Sequence, residues 1–273
     1  MTVIAMPREM GTLGKDVAQG VADSLNLKVV HTELIEHDVA KRLGVGESAV
    51  HRYLEGSASM IERWKIDKRR LARYTAEEIL ELAQQDNIII RGWGAVAVLR
   101  DIPHVLHVRV CAPSAFRERV MMERLGHRGV DLARFEIEQN DAAHGRLMRD
   151  LFGFDWQDPQ HYHVVLNSAV IPIKTGVRIV RLLAASQAMQ RTATTRPALA
   201  DKLLERRVGY ALDGDGSFGP AIKVEAAAGR ITLTGAVTDN RLSIDAEKAV
   251  RSVPRVTEVK NRIQVIQDDT IGM

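Results

Sequence analysis

Thr2-Val-Ile-Ala-Met6-Pro7-Arg-Glu9-Met-Gly11-Thr-Leu-Gly14-Lys15-Asp16-Val-Ala18 begins as an apolar, β-branched run, turns through two glycines and continues with apolar residues at helical spacing as far as Leu25. A strand that passes through such a turn into a helix headed by lysine is where backbone N–H groups and the positive end of a helix dipole can hold phosphate. Gly11, Thr12, Leu13, Gly14, Lys15 and Asp16 are therefore the candidate phosphate-binding residues. The match to a Walker loop is partial, because Glu9 stands where its first glycine belongs and Asp16 replaces the Ser/Thr that would ligate Mg²⁺. Both also bring negative charge towards the proposed anion. On its own the stretch reads equally as a phosphate cradle or as an ordinary strand-to-helix turn.

Further along, short β-branched runs at Ile88 to Ile90, Val105 to Val110 and Val164 to Leu166 alternate with helical patterns at Ala76 to Gln85, Ser114 to Leu125 and Ile173 to Met189. Strands separated by helices predict right-handed βαβ units and a buried parallel sheet. The stretch Gln187 to Pro197 is small, polar and Thr-rich, with a proline that disfavours helix at Arg196, and so reads as a linker. Beyond it come a helix (Leu199 to Leu212), strands near Ile222 to Ala226 and Arg230 to Gly235, a helix (Ser243 to Val253) and a strand near Thr257 to Val265. The expected fold class is α/β: a P-loop parallel sheet flanked by helices over 1–188, a linker over 189–198, and a second, small α+β domain over 199–267.

Composition narrows the function. The chain has 273 residues, 45% of them hydrophobic, enough for a sizeable core and too long for one typical domain. Its 38 Lys+Arg against 35 Asp+Glu leave +3, and aromatics make up 4%, so neither charge nor stacking surface points to nucleic acid. No apolar run is long enough for a membrane span, and the N-terminus lacks the basic start of a signal peptide. With Cys111 the single cysteine, no intrachain disulfide forms. A reducing, cytoplasmic setting is expected.

Set beside Ile88-Ile-Ile-Arg91-Gly92-Trp93-Gly94, Leu99-Arg-Asp101-Ile-Pro103, Val108-Arg-Val-Cys-Ala112-Pro113, Arg117-Glu-Arg119, Asp141, and Asp155-Trp156-Gln-Asp158-Pro159 followed by Leu166-Asn167-Ser168, the loop resembles that of the cytidylate kinase-like family. The resemblance covers roughly 1–188. It implies a nucleoside monophosphate kinase type of P-loop fold, with ATP and Mg²⁺ as cofactors and a nucleotide as partner. It also implies that Lys15 holds donor phosphate and that Arg117, Arg119 and Arg124 are candidates for nucleotide or lid contacts. The segment from 199 to 267 resembles a BON domain, through Ile222-Lys-Val-Glu-Ala-Ala-Ala-Gly229-Arg-Ile-Thr-Leu-Thr-Gly235, Ala246, Ala249-Val250 and Val256-Thr-Glu-Val259-Lys-Asn261. That resemblance implies a ligand-binding or association module whose partner is not readable; self-association is left open.

This chain departs from the family pattern at several points. The family's acceptor-gripping Gly-Arg pair is Gly92-Trp93 here, with Arg91 one residue early and expected on the opposite face of its strand. His144 replaces a family arginine, with Arg146 and Arg149 close enough to substitute, and His31-Thr32-Glu33 stands where the family often carries an aspartate. These departures make a nucleotide sensor or regulatory protein without turnover the competing reading. Ordinary roles are assigned elsewhere. The histidines at 104, 107, 161 and 163 have no Cys or acidic pair to complete a metal site and read as structural, and Cys111 reads as core; Asp141, with Arg91, Trp93 and Arg146, is an acceptor or lid candidate by the resemblance, its ordinary reading being a surface acid. The run Arg63-Trp-Lys-Ile-Asp-Lys68-Arg69-Arg70 reads as a solvated helix face.

Overall fold

The computed structural model describes residues 2–7, 9–54, 57–92, 94–126, 129–213 and 222–266, and the chain divides into two compact units, Met1–Thr195 and Arg196–Met273. The first unit runs β1 (Val3–Met6), α1 (Gly14–Leu25), β2 (Lys28–His31), α2 (Thr32–Leu43), α3 (Glu47–Leu54), α4 (Met60–Lys65), α5 (Lys68–Gln84), β3 (Ile88–Arg91), α6 (Ala95–Leu99), β4 (Val105–Cys111), α7 (Ser114–Arg124), α8 (Val130–Phe152), β5 (Val164–Asn167) and α9 (Ile173–Ala185). The second runs α10 (Ala198–Asp213), β6 (Ile222–Ala227), β7 (Arg230–Val237), α11 (Asn240–Arg251) and β8 (Glu258–Val265).

In the first unit five parallel strands lie in the order β2-β3-β1-β4-β5. All four residues of β1 are buried, as an apolar run without polar alternation requires of a strand covered on both faces. Val3 sits opposite Ile88 on one side and Val105 on the other, so β1 is central and its carboxyl end opens between two neighbours. On one face Val17, Ala18, Val21 and Ala22 of α1 pack with Val180 and Ala184 of α9 onto Ile4, Leu106 and Val108. Gly20 sets that helix pair's spacing, since a Cβ there would stand 2.7 Å from Val177. On the other face α5 and α6 cover β3 and β1.

Two sequence expectations need correction. The helix expected over Ile173 to Met189 stops at Ala185: Ser186 is extended, and Gln187–Met189 forms a 3-10 turn. The basic run Arg63 to Arg70 is not one helix face either. It is broken at Ile66 and Asp67, where the Asp67 side chain accepts from the N–H groups of Arg69 and Arg70 and starts α5 afresh.

The segment read as a linker is partly tied down. Arg191 Nη1 reaches both carboxylate oxygens of Asp86, at 2.9 and 2.7 Å, whereas residues 192–194 are exposed. In the second unit β6 pairs antiparallel with β7, and β7 pairs parallel with β8. Val208, Ile231, Leu233, Ala246 and Val250 form a separate core. Gly229 has φ +84°, which the tight β6–β7 turn requires, and a Cβ there would press on Thr257 at 3.0 Å. Among the described residues no helix is long and apolar enough to cross a membrane, and no group of three or more His, Cys, Asp and Glu is placed to hold a metal.

Two outcomes follow from this architecture. Since each unit has its own core, proteinase K should cut first within 192–196 and leave two resistant fragments; a first cut inside either unit would refute independent folding. A broad-specificity protease is needed because Arg196 precedes proline. The second outcome concerns acid. His107 is buried beside His163, and burial holds its imidazole down at about 4. The His163 Nδ1 accepts the His107 backbone N–H at 2.9 Å, so it must be unprotonated, and burial lowers its affinity for a proton too. The unfolded chain takes up the His107 proton from about pH 6.5 and the folded chain only near pH 4, so the stability His107 contributes is complete above that window and falls through it, by about 3 kcal/mol. Melting scanned from pH 7.5 to pH 4 should show this decline, reduced in His107→Gln; an equal decline in the variant would exclude His107 as its source.

Candidate functional site

β1, β2 and β3 end in register at the carboxyl edge of the sheet, with Met6 opposite Arg91 and Arg91 opposite His31. Ligands of open α/β sheets bind in the crevice outside that edge. Here it holds a cleft of about 390 Å³ lined by residues 9 to 15, His31, Arg91, Met121 and Arg124. Gly11, Thr12, Leu13, Gly14 and Lys15 all belong to this wall. Asp16 lies exposed in the first turn of α1 and is not part of it.

The loop's shape has identifiable causes. Gly11 has φ +75°, and a Cβ there would lie 2.7 Å from the Arg117 carbonyl, so the loop passes against α7 where only glycine fits. Leu13, with φ +57°, also adopts the left-handed region and is the N-cap of α1 without contributing a side-chain hydrogen bond. The helix start is therefore not covered by a capping side chain. Thr12, 1% exposed, donates its hydroxyl to the Glu9 carbonyl at 2.8 Å and closes the turn.

Glu9, at the first-glycine position, does not face the cleft as a bare charge. Arg109 donates to it at 3.1 Å, and Arg117 stands 3.7 Å from its other oxygen. Arg117 also clasps Asp141 with both Nη atoms, at 2.7 and 2.9 Å, and donates from Nε to the Met10 carbonyl at 2.6 Å. Burial is strong enough that the Glu9 carboxyl is raised above the ordinary carboxylate value in spite of both arginines. Two carboxylates and two guanidinium groups are thus paired beneath the loop, and Lys15, Arg91 and Arg124 are the Lys and Arg residues among the described cleft lining.

The structure distributes the other expected site residues unevenly. Arg91 lines the cleft, although its strand position predicted the opposite face. The alternation argument fails because Arg91 is the last residue of β3: Gly92 already bonds to the Met6 carbonyl as the chain leaves the sheet, and at that edge both faces meet the crevice. Trp93 lies outside the described residues. Arg124 joins the lining, Arg119 is exposed and rests over the Phe116 ring at 5.2 Å, and Arg146 is exposed on α8 away from the lining residues. Asp141 is no surface acid but the second partner of Arg117. Glu118 pairs with Arg134 rather than with the arginines of its own helix. His144 lies buried with its ring stacked on Trp156 at 4.5 Å, so the family arginine's position is filled here by a packing residue.

Sequence reasoning passed over Arg109 and Met121. A charged residue within the buried strand Val105-Leu-His-Val-Arg109-Val-Cys111 was the available signal, since such a charge must find a partner. Met121 carried no comparable mark.

The profile of the cytidylate kinase-like family matches residues 3–170, and that of the BON domain matches 200–267. The cytidylate kinase of Pyrobaculum islandicum is 25% identical over 179 residues, which is 66% of this chain and 90% of that protein. The cytidylate kinase of Pyrobaculum aerophilum is 23% identical over the same shares. Among solved structures, an uncharacterized protein from Eubacterium ventriosum superposes with a TM-score of 0.52 at 16% identity, covering 68% of this chain and 99% of its own. The parallel sheet, the loop that leaves its central strand and the family match agree: this chain belongs to the cytidylate kinase-like family and carries a BON domain behind it.

Proposed function

We propose that the first unit binds ATP through the Gly11 to Lys15 loop and transfers its terminal phosphoryl group to a nucleoside monophosphate, and that the BON unit binds a separate ligand or partner. The observation that carries this is the cleft lining. Lys15, Arg91 and Arg124 converge on one crevice at an uncapped helix start, and the single carboxylate among the described lining residues, Glu9, is held by Arg109 and Arg117. Phosphoryl transfer is catalysed mainly by positioning and charge neutralisation, which such a lining supplies. The same lining favours an anionic acceptor: a phosphate oxygen attacks already ionised, whereas an alcohol needs a base to take its proton.

In this mechanism Lys15 and the loop N–H groups hold the donor phosphates, Arg124 reaches them from α7, and Arg91 neutralises the acceptor. Magnesium bound with the nucleotide would offset further phosphate charge; the hydroxyl with which Walker loops ligate it is replaced here by Asp16, which lies outside the cleft lining. The substitution at Asp16 also favours a second reading, a nucleotide sensor that binds without turnover.

Lys15→Ala should weaken ADP binding about tenfold through loss of a charge-assisted contact, as measured by titration calorimetry. Unchanged affinity in a folded variant would remove the loop as the phosphate site. Turnover should be slow in the wild type and rise on the order of a hundredfold in Trp93→Arg and Asp16→Ser, read as ATP consumption with each common monophosphate. Fast wild-type turnover that neither substitution improves would mean that this chain has its own complete acceptor site.

A further inference from the structure

The segment Asp155-Trp156-Gln157-Asp158-Pro159 contributes nothing to the cleft lining, and the chemistry above does not use it. Its geometry is nonetheless built. Trp156 is 2% exposed and lies flat on His144, with 6° between the rings. The Trp156 carbonyl accepts the Tyr162 hydroxyl at 2.6 Å. Asp155 and Asp158 close the segment's own turns by accepting from the backbone N–H groups of Gln157 and Gln160, at 3.0 and 2.9 Å. The result is a fixed shelf.

Arg109 lies on that shelf. Its guanidinium carbon is 5.0 Å from the Trp156 ring centroid, and its Nη1 donates to the Gln157 carbonyl at 2.7 Å. Its Nε then points at Glu9, two residues before Gly11. A planar fork can stack, donate along one edge and donate along another at the same time, which a lysine ammonium cannot do. We propose that Arg109 is a positioning residue for the phosphate loop: it transmits the fixed geometry of the Trp156 shelf to Glu9 and so sets the Gly11 to Lys15 backbone before any ligand arrives. The inference rests on the phosphate-site reading. It differs from simple neutralisation of Glu9, because a lysine would neutralise but would not transmit geometry.

The test uses the full chain. ADP affinity is measured by calorimetry for the wild type, Arg109→Lys, Glu9→Gln and the double variant, with melting and amide hydrogen exchange recorded for each. Arg109→Lys should bind ADP at least fivefold more weakly although its charge is kept, and the double variant should be no weaker than the weaker single, since both changes cut one path. In the free Arg109→Lys protein, faster exchange should be confined to the amides around 10–16, a pattern that general loss of structure would not give. Wild-type-like affinity in Arg109→Lys, or losses that add in the double variant, overturns the inference while leaving the phosphate site standing. Absence of ADP binding in the wild type overturns that site and the inference with it. If Arg109→Lys does not fold, Glu9→Gln decides: it must weaken binding and loosen the same amides, and unchanged affinity there overturns the proposal.

Discussion

The guanidinium of Arg117 is the point on which the candidate site depends. It binds Asp141 of α8, the Met10 carbonyl of the loop and, more loosely, Glu9, while its own backbone leaves room only for a glycine at position 11. One side chain therefore fixes the loop against the α7–α8 pair. A phosphate loop ordinarily gains its shape from glycines that permit close approach; here much of the shape is imposed from below by ion pairs. Such pairs add little stability over a well-packed apolar core, but removing one partner strands a buried charge at a cost of about 3–5 kcal/mol. They specify a conformation more than they stabilise one.

The same cluster governs the electrostatics of the cleft. Glu9 and Asp141 are held by Arg109 and Arg117 beneath the loop, while Lys15, Arg91, Arg124 and the start of α1 border the crevice itself. A carboxylate at the first-glycine position, which the bare sequence suggests would repel an anion, is instead part of the scaffold. What looks like damage to a motif is a different way of holding it.

The fold was largely legible in the sequence because each β-run was short, apolar and followed by a helical period, and because Gly229 and Gly235 punctuated the second unit. The site was legible only where position along the chain implied function, as at Gly11 to Lys15. Strand alternation does not predict the face that Arg91 presents, because the strand ends at that residue. At Asp141 the sequence leaves two readings open, because a helix-surface acid and a helix acid facing a buried arginine 24 positions earlier have the same local sequence. His144 illustrates the remaining gap: its stacking on Trp156 is a tertiary fact that no spacing rule encodes.

The strand order has a temporal consequence. β1 precedes the other strands of its sheet in sequence yet lies at the centre, so it gains its neighbours only when residues 88–91 and 105–111 have appeared. Pairing across such separations closes long loops and makes folding slower than local pairing would. The loop emerging from β1 waits longer still, since the arginine that shapes it at 117 finds its carboxylate at 141. During synthesis the Gly11 to Lys15 sequence thus leaves the ribosome well before the residues that give the loop its shape.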